Sequence, residues 1–289
     1  MNSALSLVTA LLLAPPAPLH AADRGLAGAF TGHTVLQLAQ PAPVRGRAAP
    51  GSLLPGGAAA WKLVWSEEFD GPDAKLEDRW ISQNSGSTHI LSSRWRENAV
   101  VSNSTLKLVN RKEKRGGNDW TSGNIWTRES FQYGYFECRY RYAAAEGTNN
   151  SFWLMTTSKP PAGKKSFEID INEGHFPNEI NTNIHNHSDI KIVNGKKTHP
   201  TSSKTFKPLD GKHNFARDFH TYGLKWTEKE LVFYFNGKEL RREKNEFCHS
   251  PAPVWLSLAI IGWGGKITDA IDGTFMEVDY VRIYQAKKP

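Results

Sequence analysis

From Trp61 onward the chain is built from short runs in which apolar and polar residues alternate, and the three-to-four spacing of a helix is almost nowhere sustained. Thr105-Leu-Lys-Leu-Val-Asn110, Tyr133-Gly-Tyr-Phe-Glu-Cys-Arg-Tyr-Arg-Tyr142, Leu231-Val-Phe-Tyr-Phe235 and Phe275-Met-Glu-Val-Asp-Tyr-Val-Arg-Ile-Tyr284 each read as strands between turn clusters. Phe235-Asn-Gly-Lys238 carries the Asn-Gly pair of a two-residue hairpin. Strands at this rhythm predict an all-β domain over residues 60–289, a two-sheet sandwich or jelly roll.

One strand breaks the pattern. Ser166-Phe-Glu-Ile-Asp-Ile-Asn-Glu-Gly174 places Glu168, Asp170 and Glu173 in an otherwise apolar segment, although each half-buried carboxylate costs desolvation energy unless it is paired or used. In an unbroken strand Glu168, Asp170 and Asn172 share one face, and Ile169, Ile171 and Glu173 take the other. A single β-bulge between Asp170 and Glu173 returns Glu173 to the face of Glu168. Two carboxyls about 5–5.5 Å apart suit a retaining glycosidase, and roughly 6.5–9.5 Å suits an inverting one. Ser151-Phe-Trp-Leu-Met155, just upstream, offers aromatic surface on which a sugar ring can stack.

Composition narrows the field. The chain has 289 residues, enough for one large β domain or two small ones, 39% of them hydrophobic, and ten tryptophans, a residue that suits carbohydrate as well as core packing. Residues 1–22 have the apolar run Ala4-Leu-Ser-Leu-Val-Thr-Ala-Leu-Leu-Leu-Ala14 followed by Leu19-His-Ala-Ala22, which reads as a secretory signal. Residues 23–59 are rich in Ala, Gly and Pro and read as a flexible leader. A secreted or periplasmic protein without membrane insertion is therefore expected. The formal charge is +7, yet no phosphate-cradling glycine loop or recognition-helix pattern appears, so nucleic acid is not expected as a partner. Lys191, Lys196, Lys197, Lys204, Lys207 and Lys212 cluster after the acidic strand, either as a field for an anionic polysaccharide or as a solvated loop. Cys138 and Cys248 lack the paired spacing of a zinc site, and whether they are bonded is left open. Gly262-Trp-Gly-Gly265 brings Trp263 to a loop tip, as a sugar platform or as a core cap.

Six landmarks in order resemble glycoside hydrolase family 16: Trp61-Lys-Leu-Val-Trp-Ser-Glu-Glu-Phe-Asp-Gly71, Tyr133-Gly-Tyr-Phe-Glu137, Phe152-Trp-Leu154, Glu168-Ile-Asp-Ile-Asn-Glu173, Asp218-Phe-His-Thr-Tyr-Gly-Leu-Lys-Trp226 and Met276-Glu-Val-Asp-Tyr-Val-Arg282. The resemblance implies a jelly roll of two bent antiparallel sheets with the substrate cleft on the concave face. It implies a retaining endo-hydrolase with Glu168 as nucleophile, Asp170 as its supporting carboxylate and Glu173 as general acid/base. Trp153 resembles the aromatic that stacks near the cleaved sugar, with Trp263, Trp126, Arg128 and His175 as further cleft candidates. His185 and His187 are expected on the strand after the catalytic one, one facing the cleft and the other the core or a neighbouring strand. No cofactor is implied for catalysis; many members hold a structural calcium ion on the convex side, and Asp279 resembles one of its ligands. The His185-Asn-His187 strand, the lysines and Asp218-Phe-His-Thr-Tyr-Gly223 look like the galactanases, which implies a sulfated red-algal galactan such as carrageenan, furcellaran, porphyran or agar. The Gly262-Trp-Gly-Gly265 loop also occurs in glucanase-like members, so a laminarinase-like β-1,3-glucanase is the alternative, with a non-catalytic carbohydrate-binding protein a further one. The resemblance implies a polysaccharide as the partner, and the chain is expected to be a monomer.

Overall fold

The computed structural model describes residues 53–157, 159–208 and 213–287. The expected signal segment, the leader up to residue 52 and Lys212 lie outside them.

Two antiparallel sheets form the domain, as the alternation predicts. The seven-stranded front sheet runs in the order Thr201–Phe206, Glu179–Asn186, Phe167–His175, Thr148–Met155, Val254–Ile260, Asn124–Thr127 and Trp80–Ser82. The back sheet runs Lys238–Lys244, Glu230–Phe235, His220–Trp226, Gly134–Arg141, Phe275–Ala286, Thr105–Val109 and Ala99–Ser102, and Trp61–Glu67 pairs with the long strand Phe275–Ala286 as its eighth member. Each sheet joins consecutive hairpin strands to strands distant in sequence, such as Thr148–Met155 beside Val254–Ile260 and Gly134–Arg141 beside Phe275–Ala286, as in a β-jelly-roll, and helices are confined to single turns.

The period-two pattern decides which side of each strand is dry. Phe152 and Leu154, Phe167, Ile169 and Ile171, Ile180 and Ile184, and Val254, Leu256 and Leu258 point inward from the front sheet. They meet Phe136, Cys138, Leu224, Trp226, Phe233, Val281 and Ile283 from the back sheet in one core. Burial of side chains of this size contributes about 1.5–3 kcal/mol each, which fixes strand register, because a one-residue slip would turn the whole set outward. The residues between them are therefore held on the outer face of the front sheet. Cys138 and Cys248 are buried free thiols.

Candidate active site

The bulge is present where the carboxylates require it. Against Glu179–Asn186 the register shifts between Asp170 and Glu173, and against Thr148–Met155 it shifts between Asp170 and Asn172. Glu173 thereby lies opposite Asn181, and its carboxylate accepts from Asn149 Nδ2 at 2.6 Å and Asn183 Nδ2 at 2.7 Å. Asn172 differs from the flat-strand reading: it turns into the sandwich, fully buried, while Glu173 takes its place outside.

His185 and His187 correct a second expectation. Both lie on the outer face, because residues two apart on a strand share a side; their rings are parallel within 6° at 5.9 Å. His187 Nε2 is 3.1 Å from Glu168 Oε2, and His185 Nε2 is 3.2 Å from Asp170 Oδ2 and 4.0 Å from Glu168 Oε1. His199 Nε2 backs His185 Nδ1 at 3.1 Å.

Electrostatics separate the acids. Burial pushes the Asp170 carboxyl well up, and the neighbouring Glu168 and Glu173 carboxylates push it the same way. Glu173 is also raised, chiefly by burial and then by Glu168, while the Asn149 and Asn183 amides oppose the shift by stabilising its charged form. His185 is held below its ordinary value by burial, against the pull of Glu168, so its ring stays neutral near pH 7. Donor atoms of Glu168, Asp170 and His185 lie within 4.8 Å of one another, close enough to share a proton or hold a cation.

Beside the carboxylates runs an aromatic wall. Trp153 stacks on Trp255 at 4.7 Å between centroids and Trp255 on Trp126 at 4.4 Å, and Trp153 Nε1 donates to Ser257 Oγ at 3.1 Å. Trp255 is the central ring, and the sequence reading missed it; Trp255 and Ser257 alternate with the core residues Val254, Leu256 and Leu258, which is the signal that would have found it. Asn149, Asn181 and Asn183 were missed because the bulge and the strand pairing decide which carboxylate stands beside them.

The remaining candidates scatter. His175, half-buried two residues beyond Glu173, bonds Glu179 Oε1 at 3.0 Å, and Glu179 in turn pairs with Lys207 at 2.5 Å. Trp263 is 66% exposed on the single-turn helix Gly262–Gly264, at a loop tip rather than capping the core. Arg128 is exposed, and its Nε donates to the carbonyl of Glu77 at 2.7 Å, on the sheet-edge side of the tryptophan stack. Asp279 lies on the back sheet with its carboxylate in an ion pair with Arg139. Lys191, Lys196 and Lys197 stand on the exposed hairpin Lys191–Val193 and Lys196–Thr198, which leaves the front sheet after His187 and returns at His199.

A jelly roll that carries clustered carboxylates beside a stacked aromatic wall has the layout of a polysaccharide-processing protein. The chain belongs to the glycosyl hydrolases family 16, whose sequence profile it matches over residues 88–282. It is 33% identical over 174 residues to the endo-1,3-1,4-beta-glycanase ExsH of Rhizobium meliloti strain 1021, an overlap of 58% of this chain and 34% of that protein. It is 27% identical over 258 residues to the kappa-carrageenase of Pseudoalteromonas carrageenovora, covering 76% of this chain and 63% of the relative. The chain thus spans about a third of the length of the first curated relatives it matches. Among solved structures, the laminarinase catalytic domain of Thermotoga maritima MSB8 superposes with a TM-score of 0.67 at 24% identity, over 79% of this chain and 99% of that one, a likeness of fold.

Proposed function

We propose that the protein is a retaining endo-hydrolase of β-glycosidic bonds in a polysaccharide, with Glu168, Asp170 and Glu173 as its working acids. The observation that carries this reading is the bulge that brings both glutamates to one face while their surroundings differ. Glu173, raised by burial, keeps its proton and delivers it to the leaving sugar oxygen. Glu168 accepts a hydrogen bond from His187 Nε2 and attacks the anomeric carbon. Asp170, raised further by burial, stays neutral and donates its proton as a hydrogen bond to Glu168, while His185 Nε2 holds its other oxygen. Once the glycosyl-enzyme has formed, Glu173 takes a proton from the incoming water and the sugar leaves with its configuration retained. Trp153 and Trp126, both half-buried, offer the sugar rings their aromatic surface, with Trp255 buried between them as the ring that holds the pair in place. Glu168→Ala and Glu173→Ala are each expected to abolish reducing-sugar release while melting within a few degrees of the parent. Retained activity in both sinks the reading, and product anomers followed by NMR decide retention against inversion.

The substrate we favour is a sulfated red-algal galactan of the carrageenan type, supported by the basic hairpin beside the nucleophile and by the carrageenase relative. A β-1,3-glucan is the second reading, supported by the glycanase relative. Oligosaccharide release from κ-carrageenan, furcellaran, porphyran, agarose, laminarin and lichenan separates them: products from the neutral glucans alone overturn the galactan choice. Export to the periplasm or medium completes the proposal, because such polymers do not enter cells.

A further inference from the structure

The bulge that aims Glu173 needs something to hold its phase, and the sandwich interior directly beneath it is polar. Asn172 is fully buried where the flanking inward residues, Ile169 and Ile171, are aliphatic. Its Nδ2 donates to Tyr140 Oη at 2.5 Å and to Tyr142 Oη at 2.8 Å, so both amide hydrogens are used. Tyr140 lies on the back-sheet strand Gly134–Arg141 and Tyr142 just beyond its end, so the two bonds cross the whole sandwich. Each hydroxyl passes its own hydrogen on, Tyr140 to the carbonyl of Asn150 at 3.3 Å and Tyr142 to that of Glu179 at 3.2 Å. On the other side of Glu173, Asn150 Nδ2 donates to the carbonyl of Gly174 at 2.9 Å. Gly174 itself admits no side chain, since a Cβ there would lie 2.4 Å from Tyr142 Oη.

We propose that Asn172 is a positioning residue for the general acid: its amide, clamped by the Tyr140 and Tyr142 hydroxyls, locks the bulge in the phase that presents Glu173 to the leaving group. The inference rests on the reading of Glu173 as acid/base. Two alternating phases of the strand compete here, and only one puts an amide on the two hydroxyls. Shifting the bulge by one residue would strand these buried donors and acceptors without partners, at a cost that leaves the acid with one orientation. An aliphatic residue at 172 would fill the space but would leave the phase to packing alone.

Asn172→Leu tests this, because the tyrosines keep their own acceptors and the core keeps its volume. On the polysaccharide, kcat is expected to fall about 10- to 100-fold with KM within about twofold, the loss of an acid moved off its proton-transfer geometry. On a dinitrophenyl β-glycoside of the shortest oligosaccharide cleaved, whose leaving group departs without a proton, kcat/KM, which reports the glycosylation step alone, is expected to change less than about threefold, whereas it falls with kcat on the polysaccharide. The pair Tyr140→Phe and Tyr142→Phe keeps the rings, removes both hydroxyls and is expected to reproduce the same split, so the test stands even if Asn172→Leu misfolds. Equal losses on both substrates, or polysaccharide activity unchanged in Asn172→Leu and in the double variant, overturn the proposal. Glu173→Ala is the control: it must show the same split more deeply. Full polysaccharide activity in that variant overturns the acid/base reading itself, whatever Asn172 does.

Discussion

Asn149 and Asn183 set how firmly Glu173 holds its proton. Both amides donate to the Glu173 carboxylate, at 2.6 and 2.7 Å, and a bond to the charged form lowers a carboxyl's pKa. Burial and the charge on Glu168 act the other way, and their sum leaves Glu173 raised. Asn149→Ala removes one lowering influence, so the Glu173 pKa rises further. The acid must be protonated to work, hence the alkaline limb of the kcat/KM profile moves to higher pH while the maximum falls, since the carboxyl also loses an anchor. A pH–rate profile on soluble substrate checks this; an alkaline limb that stays or moves down refutes the assignment. None of this was visible from single residues in the sequence. Asn149 and Asn183 look like ordinary strand asparagines until the bulge fixes which carboxylate stands opposite them.

At the scale of elements, what was legible followed from alternation and what was not followed from pairings between distant strands. Ile169 and Ile171 declared the inner face of the acidic strand, and the chemistry of three carboxylates then demanded a bulge between Asp170 and Glu173, which is where the register shifts. The same rule places His185 and His187 both beside the acids, against the expectation that one of them faces the core or a neighbouring strand. The exit of Asn172 into the core was not legible, because it depends on Tyr140 and Tyr142, some thirty residues upstream and in the other sheet. The order of the stack, with Trp255 between Trp126 and Trp153, likewise needed the sheet order. The lysine-rich stretch resolves into separate roles: Lys207 is taken by Glu179, whereas Lys191, Lys196 and Lys197 stand exposed on their hairpin between His187 and His199. If that hairpin senses a sulfated chain, changing these three lysines to glutamine raises KM on κ-carrageenan about 3- to 10-fold at low salt with kcat unchanged. The difference fades as ionic strength shortens the Debye length from about 30 Å at 0.01 M to 3 Å at 1 M. A KM that does not move, measured at both salt levels, removes the hairpin from substrate recognition.

For the whole molecule, the jelly roll came from strand rhythm and the order of its landmarks, but the edge of the folded unit did not. Composition predicts a flexible leader up to residue 59, yet its last residues, from Leu53, lie against the back sheet. Leu54 packs on the cluster of Trp61, Tyr135, Val232, Tyr234 and Tyr284, and Trp61 Nε1 donates to the carbonyl of Pro55 at 2.7 Å. Ala- and Pro-rich composition hides such docking because a single leucine and one carbonyl carry it. Burying part of one leucine and closing one hydrogen bond contributes about 1–2 kcal/mol. For a domain of this size each 1 kcal/mol shifts the melting temperature by about 2–4 °C. A chain starting at Trp61 is therefore expected to melt about 2–8 °C below one starting at Leu53. Its catalytic constants should not change, because the docking site lies on the sheet opposite the carboxylates. Paired thermal melts of the two chains measure this directly: coincident transitions would mean that the docked segment adds nothing to the fold, and a change in kcat would mean that the back sheet reaches the site through the core.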